Sequence, residues 1–504
     1  MKSIVQERAT KHTPDSLAHA AGLGAGTILL QSALVGESSG RFSFVARDPF
    51  LTLRATGSAL EIVSAQGSTR LFGCPWAWLE QHLARYELRD DIDVPFPLGG
   101  AFGYWGYDLR QFTSPRMTAN ARRDLDLPDA VVGFYDSLVV FDHCLDRCWI
   151  VSTGLRADGS RDHDHAVRAV DAWRSLLDSE PVVEVHAKLR APRAEQRALV
   201  PPTGALTSTL DRDGYVNAVR RAKEYIRQGD IYQVNLARRI DVTEPVDVDA
   251  WRLYRSLASV SPAPYAAFQD CGDFALASSS PELFLRMSGS HIRTRPIKGT
   301  RPRSSDPGED ARLAYELQTS AKEQAELVMI TDLLRNDLGQ CCRYGAVQAP
   351  ELMRLERFSH VQHLVSTVEG TLREDVSHVE ALRRCFPGGS ITGAPKVRAM
   401  QLIDSLEPVS RGPYTGAIGY LGFNLESQIS ILIRVALCMR GVTCFYTGAG
   451  IVADSDPEAE FDETEAKAAG FLAALPGALS CGWEVESAGS GSGFGSAKAR
   501  ISRP

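Results

Sequence analysis

Two rhythms of hydrophobic and polar positions divide the chain. Up to about residue 177, runs such as 41–46 and 131–141 have strand character and are separated by glycine and proline clusters, so this part reads as β-rich. A charged and then proline-bearing stretch without a sustained period, 183–209, reads as a linker. Beyond it, Tyr215, Val219, Ala222 and Ile226 recur at helical spacing over 210–227, Gly229 stops them, and a strand is expected over 232–240. Helical period returns over 307–337, with Leu313, Leu317, Leu327, Ile330 and Leu334 on or near one face, which predicts one long helix. A further helix is expected from Pro395 to just before Pro408, then strands over 417–423, 429–439 and 442–446, then a helix over 457–475. The glycine- and serine-rich tail from Ser487 reads as disordered.

Two glycine clusters invite a nucleotide reading and fail it. The GLGAG at 22–26 follows a helical-looking segment rather than a strand, and its third glycine is misplaced. The GGAFGYWGYD at 99–108 mixes glycine with aromatic residues, which suits tight packing between sheets.

Composition narrows the classes. With 504 residues, 44% hydrophobic and 23% charged, the chain can bury one large core or several. A net charge of −7 without a basic block argues against nucleic acid. No signal-peptide core or long apolar run occurs, so a cytoplasmic chain without membrane contact is expected. The ten cysteines lack paired zinc-site spacing and a nucleophile's local setting, and read as reduced core thiols.

Chemistry is concentrated in the second part. The stretch RPIKGTRPR at 295–303 sets Lys298 between Pro296 and Gly299 among three arginines, which suits a reactive amine or, alternatively, a basic surface turn. Glu323 and Glu326 are three apart on a predicted helix, and Glu460 and Glu463 repeat the spacing. Facing each other, the pairs would make an oxygen site for a hard cation; apart, they are solvated helix faces. Arg434, inside the apolar run 429–439, needs an anion, either a structural carboxylate or one on a substrate. The YTGAG at 446–450 could offer backbone N–H groups to the same anion. The GGSITGAPK at 388–396 is not a phosphate loop, because Val397 follows Lys396, although a helix start with Ser390 and Thr392 could take an anion. Glu282 and His363 are proton handlers or structural groups.

In this order, SPE at 280, PIKGT at 296, DLLRND at 332, HLVS at 363, GGSITGAPK at 388, IGYLG at 418, LIR at 432 and GAGIVADSDPEAEFDET at 448 resemble the chorismate-utilising enzymes. That family includes anthranilate, aminodeoxychorismate, isochorismate and salicylate synthases. The resemblance implies an α+β fold in which two antiparallel sheets pack face to face under a cover of helices. It divides the chain into an amino-terminal region, 1–182, the linker, a chorismate-binding region, 210–476, and the tail, 487–504. The halves are expected to share one core.

The resemblance also implies roles. Gln233 stands where the water-adding members carry a lysine base, so water activation is not expected. Lys298 stands where anthranilate synthases carry alanine, which points to the para-amine-forming branch: lysine adds at ring carbon 2, the carbon 4 hydroxyl leaves, and ammonia then takes carbon 4. Glu282 would protonate the leaving hydroxyl, with His363 orienting nearby. Glu326 and Glu463 would hold Mg²⁺ with Glu323 and Glu460 as outer partners, and Lys467 would lie near the metal end. Tyr420, Arg434, Gly448 and Gly450 would bind the enolpyruvyl carboxylate, while Gly299, Thr300 and Ser390 flank the ring end. Ammonia would come from a separate glutaminase subunit, since this chain shows no glutaminase nucleophile. The LLQS at 29–32 is close to the tryptophan-sensing LLES of anthranilate synthases, which leaves tryptophan open as a ligand of the amino-terminal region. An anthranilate synthase and a silent chorismate-binding regulatory subunit are the alternative readings.

Overall fold

Alternating apolar strands with short turns build two twelve-stranded sheets whose ladders are all antiparallel. They are seen in a computed structural model that describes residues 2–34, 40–114, 120–181, 205–243, 248–358 and 361–475. The tail and all but the end of the expected linker lie outside those residues. That end, Ala205–Ser208, is a strand paired with Gln233–Thr243 rather than free linker.

Both halves of the chain feed both sheets. In the first sheet, Ile4–Arg8, Arg147–Ser152, Ser137–Asp142, Phe42–Ala46 and Ile28–Gln31 lie side by side, and the last pairs with Tyr265–Asp270. The order continues through Phe274–Ser280, Val435–Met439, Val442–Ile451 and Gln233–Thr243. In the second sheet, Ile297–Pro302, Val361–Thr371, His291–Arg295, Leu283–Ser288, Glu426–Ile431 and Ala417–Gly422 lead to Gly100–Trp105 and on to Ala130–Tyr135 of the amino-terminal part. The expected α+β architecture is thus present, with one core shared by the two parts of the sequence.

The sheets face each other through aromatic side chains. Phe44 of the first sheet meets Tyr420 of the second at 4.9 Å between ring centroids, and Tyr420 stacks on Phe102 at 5.2 Å. Gly103 lies directly across from Gly419, and a Cβ on Gly103 would sit 2.1 Å from the Val131 carbonyl, so the 99–108 cluster does serve close packing. Helices His163–Leu177, Ala250–Val260 and Pro457–Ala474 cover the outer face of the first sheet through Trp173, Trp251 and Phe471. No helix among the described residues is long and apolar enough to cross a membrane.

Three expected elements are divided. The helix over 307–337 is two, Pro307–Thr319 and Ala321–Gly339, because Ser320 leaves helical dihedrals and its hydroxyl accepts the Glu323 N–H as cap of the second. The run 131–141 is two strands in different sheets, Ala130–Tyr135 and Ser137–Asp142. The run 429–439 is likewise two, Glu426–Ile431 and Val435–Met439, and the chain changes sheets at Arg434. In both runs the continuous apolar pattern is that of a chain buried on two sides, whichever sheet it belongs to.

Candidate active site

Local rules place each acidic pair near a helix start. Asp456 accepts the Glu458 and Ala459 N–H groups and Pro457 opens the helix, which sets Glu460 in its first turn and Glu463 a turn further on. Ser320 does the same for Glu323 and Glu326. Leu317, Leu327 and Leu364 pack together and hold this second helix against the strand His363 occupies.

The pairs approach each other without closing. Burial raises the Glu326 and Glu460 carboxyls above their usual range, and the Glu463 charge pushes both further the same way. Among the described residues no three acidic, histidine or cysteine groups converge tightly enough to chelate an ion unaided. Each glutamate has a basic neighbour instead. Glu463 takes the Lys467 ammonium at 2.7 Å, and Glu323 lies 3.6 Å from Arg301. Lys322, which the sequence reading passed over, acts on both Glu326 and Glu460. Its place four residues before Glu326 on the helix was the available signal.

Lys298 is on a strand rather than a surface turn. Ile297–Pro302 pairs with Val361–Thr371, and the register slips between Lys298 and Thr300, a bulge at Gly299. Gly299 has φ of +69°, and a Cβ there would stand 2.5 Å from Leu317 and 3.0 Å from a Glu323 carboxylate oxygen, so only glycine fits. The three arginines expected to activate Lys298 do not do so as free charges. Arg295 is paired with Glu356 at 2.5 Å, Arg303 with Asp310 at 2.8 Å, and Arg301 with Glu323. Lys298 instead lies where its charge reaches two carboxyls, Glu282 and Glu326.

Glu282 is buried, which raises its carboxyl above the ordinary range, while a hydrogen bond with Ser390 and the Lys298 charge pull the other way. Ser390 is held in turn: its carbonyl accepts the Asn235 side-chain amide at 2.8 Å. His363 Nδ1 is 2.9 Å from the Thr300 hydroxyl and 3.3 Å from the Gly299 carbonyl, and burial lowers its pKa. The Arg434 charge contributes to that lowering, which brings Arg434 into the same recess.

Arg434 is solvent-accessible yet ringed by protein, as a side chain lining a recess is, and burial lowers its pKa. Its φ of +51° is the left-handed region, unfavourable for a side chain-bearing residue. Its guanidinium donates to the Ser261 hydroxyl at 3.2 Å and has no carboxylate partner among the described residues. The register Ala436 to Phe445, continued by two residues, brings Arg434 abreast of Thr447. There the strand Val442–Ile451 has lost its neighbour on that side. Gly448 and Gly450 lie across from Ala237 and Asn235, whose N–H groups point away to Glu407 and Thr392. Alternation then turns the Gly448 and Gly450 N–H groups to the open side, beside Arg434. Lys467 reaches the Gly448 carbonyl at 2.7 Å.

One expectation fails here. Tyr420 is not at this anion site: strand parity sends its ring into the aromatic layer between the sheets, against Phe44 and Phe102. The tyrosine that does border the Arg434 segment is Tyr414, stacked on Tyr446 at 4.8 Å, with Thr415 N–H donating to Leu432 O. Around 388–396 two side chains bind the protein itself. Lys396 donates to Asp337 at 2.6 Å and to the Cys385 carbonyl, and the Thr392 hydroxyl to loop carbonyls. Gln233 is fully buried on the strand Gln233–Thr243, and both atoms of its amide are without hydrogen-bond partners among the described residues. Leu30, Gln31 and Ser32 line a separate inter-sheet recess with Phe42, Phe44 and Pro264.

With this geometry in hand, the chain matches the family described as chorismate binding enzyme over residues 38–473. It is 37% identical to anthranilate synthase component 1 of Synechocystis sp., covering 89% of this chain and 90% of that protein. It is 39% identical to aminodeoxychorismate synthase component 1 of Escherichia coli, covering 87% and 90%. Among solved structures, anthranilate synthase component I from Streptococcus pneumoniae aligns with a TM-score of 0.72 and 28% identity, over 87% of this chain and 94% of that one.

Proposed function

From the premise that this chain belongs to the chorismate-binding enzyme family, we propose that it is the large subunit of an aminodeoxychorismate synthase, converting chorismate and ammonia to 4-amino-4-deoxychorismate. That it is a chorismate-utilising enzyme of the anthranilate and aminodeoxychorismate synthase type follows from its relatives, which divide between those two reactions. The finer reading rests on one observation: a lysine at 298, on a bulged strand, with the carboxyls of Glu282 and Glu326 both within reach of its charge.

On this reading Arg434 and the Gly448 and Gly450 amides grip the side-arm carboxylate. Glu282, whose carboxyl burial raises above its usual range, takes the Lys298 proton and passes it to the carbon 4 hydroxyl as it leaves, while the freed Lys298 amine bonds to carbon 2. The adduct nitrogen returns a proton to Glu282. Ammonia then bonds to carbon 4, the carbon 2 bond to lysine breaks, and Glu282 relays the proton between the two nitrogens, so water is the only other product. His363, kept neutral by burial, is fixed beside Thr300 at the ring end.

The facing pairs Glu326 with Glu323 and Glu463 with Glu460 suit Mg²⁺ in kind: all donors are oxygens, and their mutual repulsion calls for a cation. Glu326 and Glu463 would hold the ion, and its positive charge would offset that of the substrate's ring carboxylate. Ammonia would come from a separate glutamine amidotransferase subunit. Tryptophan as a ligand of the amino-terminal region would meet Leu30, Gln31 and Ser32.

The test is the product formed by Lys298→Ala with chorismate and ammonia. Losing the covalent step should slow the 4-amino product about 10²-fold and let 2-amino product appear. Formation of 2-amino product by the parent chain would make it an anthranilate synthase. An unchanged rate and isomer in the variant would remove Lys298 from the chemistry.

A further inference from the structure

We propose that Arg411 is a positioning residue that fixes the acid end and the carboxylate end of this pocket to one another; the proposal rests on reading the pocket as the chorismate site. Arg411 is 1% exposed, and all five of its N–H donors are used. Nε and Nη2 hold the Glu407 carboxylate at 2.9 and 2.6 Å. Nη2 also reaches the Asn235 carbonyl at 2.8 Å, and Nη1 reaches the Ile391 carbonyl at 3.2 Å and the Thr415 hydroxyl at 3.1 Å. Glu407 in turn accepts the Ala237 N–H at 2.8 Å.

Each of these partners adjoins a pocket group. Ile391 follows Ser390, which hydrogen-bonds Glu282, and Asn235 both clamps the Ser390 carbonyl and lies across from Gly450. The guanidinium is 4.9 Å from the Tyr107 ring and 5.9 Å from that of Tyr414. Tyr414 stacks on Tyr446, two residues before Gly448, and the Tyr446 hydroxyl donates to the Ser410 carbonyl. The turn whose Ser390 holds the acid and the strand bearing the anion amides therefore share one rigid planar cation. Arg411 itself touches neither Lys298 nor the acidic pairs and works through Ser390, Asn235 and Tyr414. A lysine there would keep the charge but has three donors on a flexible stem, so it cannot serve five acceptors in a plane.

Hydrogen exchange of the intact chain tests the positioning without turnover. In Arg411→Lys the amides of 389–394 and 446–450 should both lose protection, while those of the distant strand 137–142 keep theirs. Unchanged protection in either pocket segment, or loss spread evenly over the fold, overturns the proposal. A cycle on kcat/KM for chorismate, at matched folded fraction, then asks whether the positioning matters to chemistry. Arg411→Lys should cost about 10²-fold, the scale of a small misplacement at a reacting centre. Ser390→Ala should cost about tenfold alone. The double variant should match Arg411→Lys within about twofold, because the Ser390 contact is already lost. Effects that multiply overturn the route through Ser390. Should Arg411→Lys not fold, Glu407→Gln loosens the same fork and carries the same measurements. A parent chain that leaves chorismate unconsumed defeats the functional reading, while the exchange result still decides the positioning.

Discussion

The chain crosses from the second sheet to the first at two charged residues set in apolar runs, Asp136 and Arg434, and the two crossings are finished differently. At Asp136 the protein supplies its own answer. The carboxylate is 3.3 Å from His165 on the covering helix, and its backbone carbonyl accepts the Thr153 N–H. At Arg434 it does not: a serine hydroxyl is the partner found, the backbone is held at a positive φ, and two glycine amides turn toward the same space. A charge ringed by protein without a counter-charge is costly, and so is a left-handed arginine. The fold tolerates both at one crossing and neither at the other. On the proposed reading Arg434 takes the substrate's anion, whereas Asp136 is structural.

Breaking the difference has the largest expected effect. Arg434→Gln keeps the stem and the backbone demand but removes the charge, so kcat/KM for chorismate should fall by about 10³-fold, within the range for losing one partner of an enclosed charge pair. Its unfolding midpoint should stay level, because no ion pair among the described residues is lost and the guanidinium is solvent-accessible. A drop in stability with unchanged kcat/KM would make Arg434 a structural residue. Making the crossings alike is the sharper experiment. Ser261→Asp would give Arg434 the carboxylate that the other crossing enjoys in mirror image. KM should then rise about 10- to 100-fold, since substrate must displace an internal anion. Stability should change little, because an acid at the end of helix Ala250–Val260 opposes the helix dipole by about what the new pair returns. An unaltered KM would show that the substrate carboxylate binds elsewhere.

The same contrast explains what could be read in advance. Local signals were sufficient for helix Pro457–Ala474, where Asp456 and Pro457 mark the start, and for the glutamate spacing at 323, 326, 460 and 463. Motif resemblance supplied Lys298, Glu282 and His363, which the fold brings into one recess. Non-local pairing was invisible. An apolar run with one charge looks the same whether it stays in a sheet or changes sheets, and nothing near Arg295 announces Glu356 as the group that neutralises it. Tyr420 and Tyr414 are both tyrosines in a glycine-rich stretch, and strand parity, fixed only by pairing with Gly100–Trp105, separates a core ring from one at the pocket. The Arg411 fork joins residues 235, 391, 407 and 415, which no window of sequence connects.

The smallest effect expected is at the finished crossing. Burial raises the Asp136 carboxyl above its usual range, against the opposing pull of His165. The native state therefore binds this proton more tightly than the unfolded chain, whose carboxyl titrates near 3.9. Its contribution to stability is full at acid pH and is lost as pH rises through the raised folded value. Above that value the parent carries an ionised, largely buried carboxylate whose partner His165 is 36% exposed and screened by solvent, so the pair offsets only part of the burial cost. Asp136→Asn keeps the shape without the charge. It should leave kcat/KM unchanged and shift stability at pH 7 by less than about 1 kcal/mol, in the stabilising direction. The advantage over the parent should shrink as pH falls below the raised pKa, because the parent carboxyl is then neutral as well. Denaturant unfolding at a series of pH values measures this. A variant destabilised at pH 7 by more than about 2 kcal/mol would mean the Asp136 charge is needed where it lies, and the crossing is held by its ion pair rather than by its backbone.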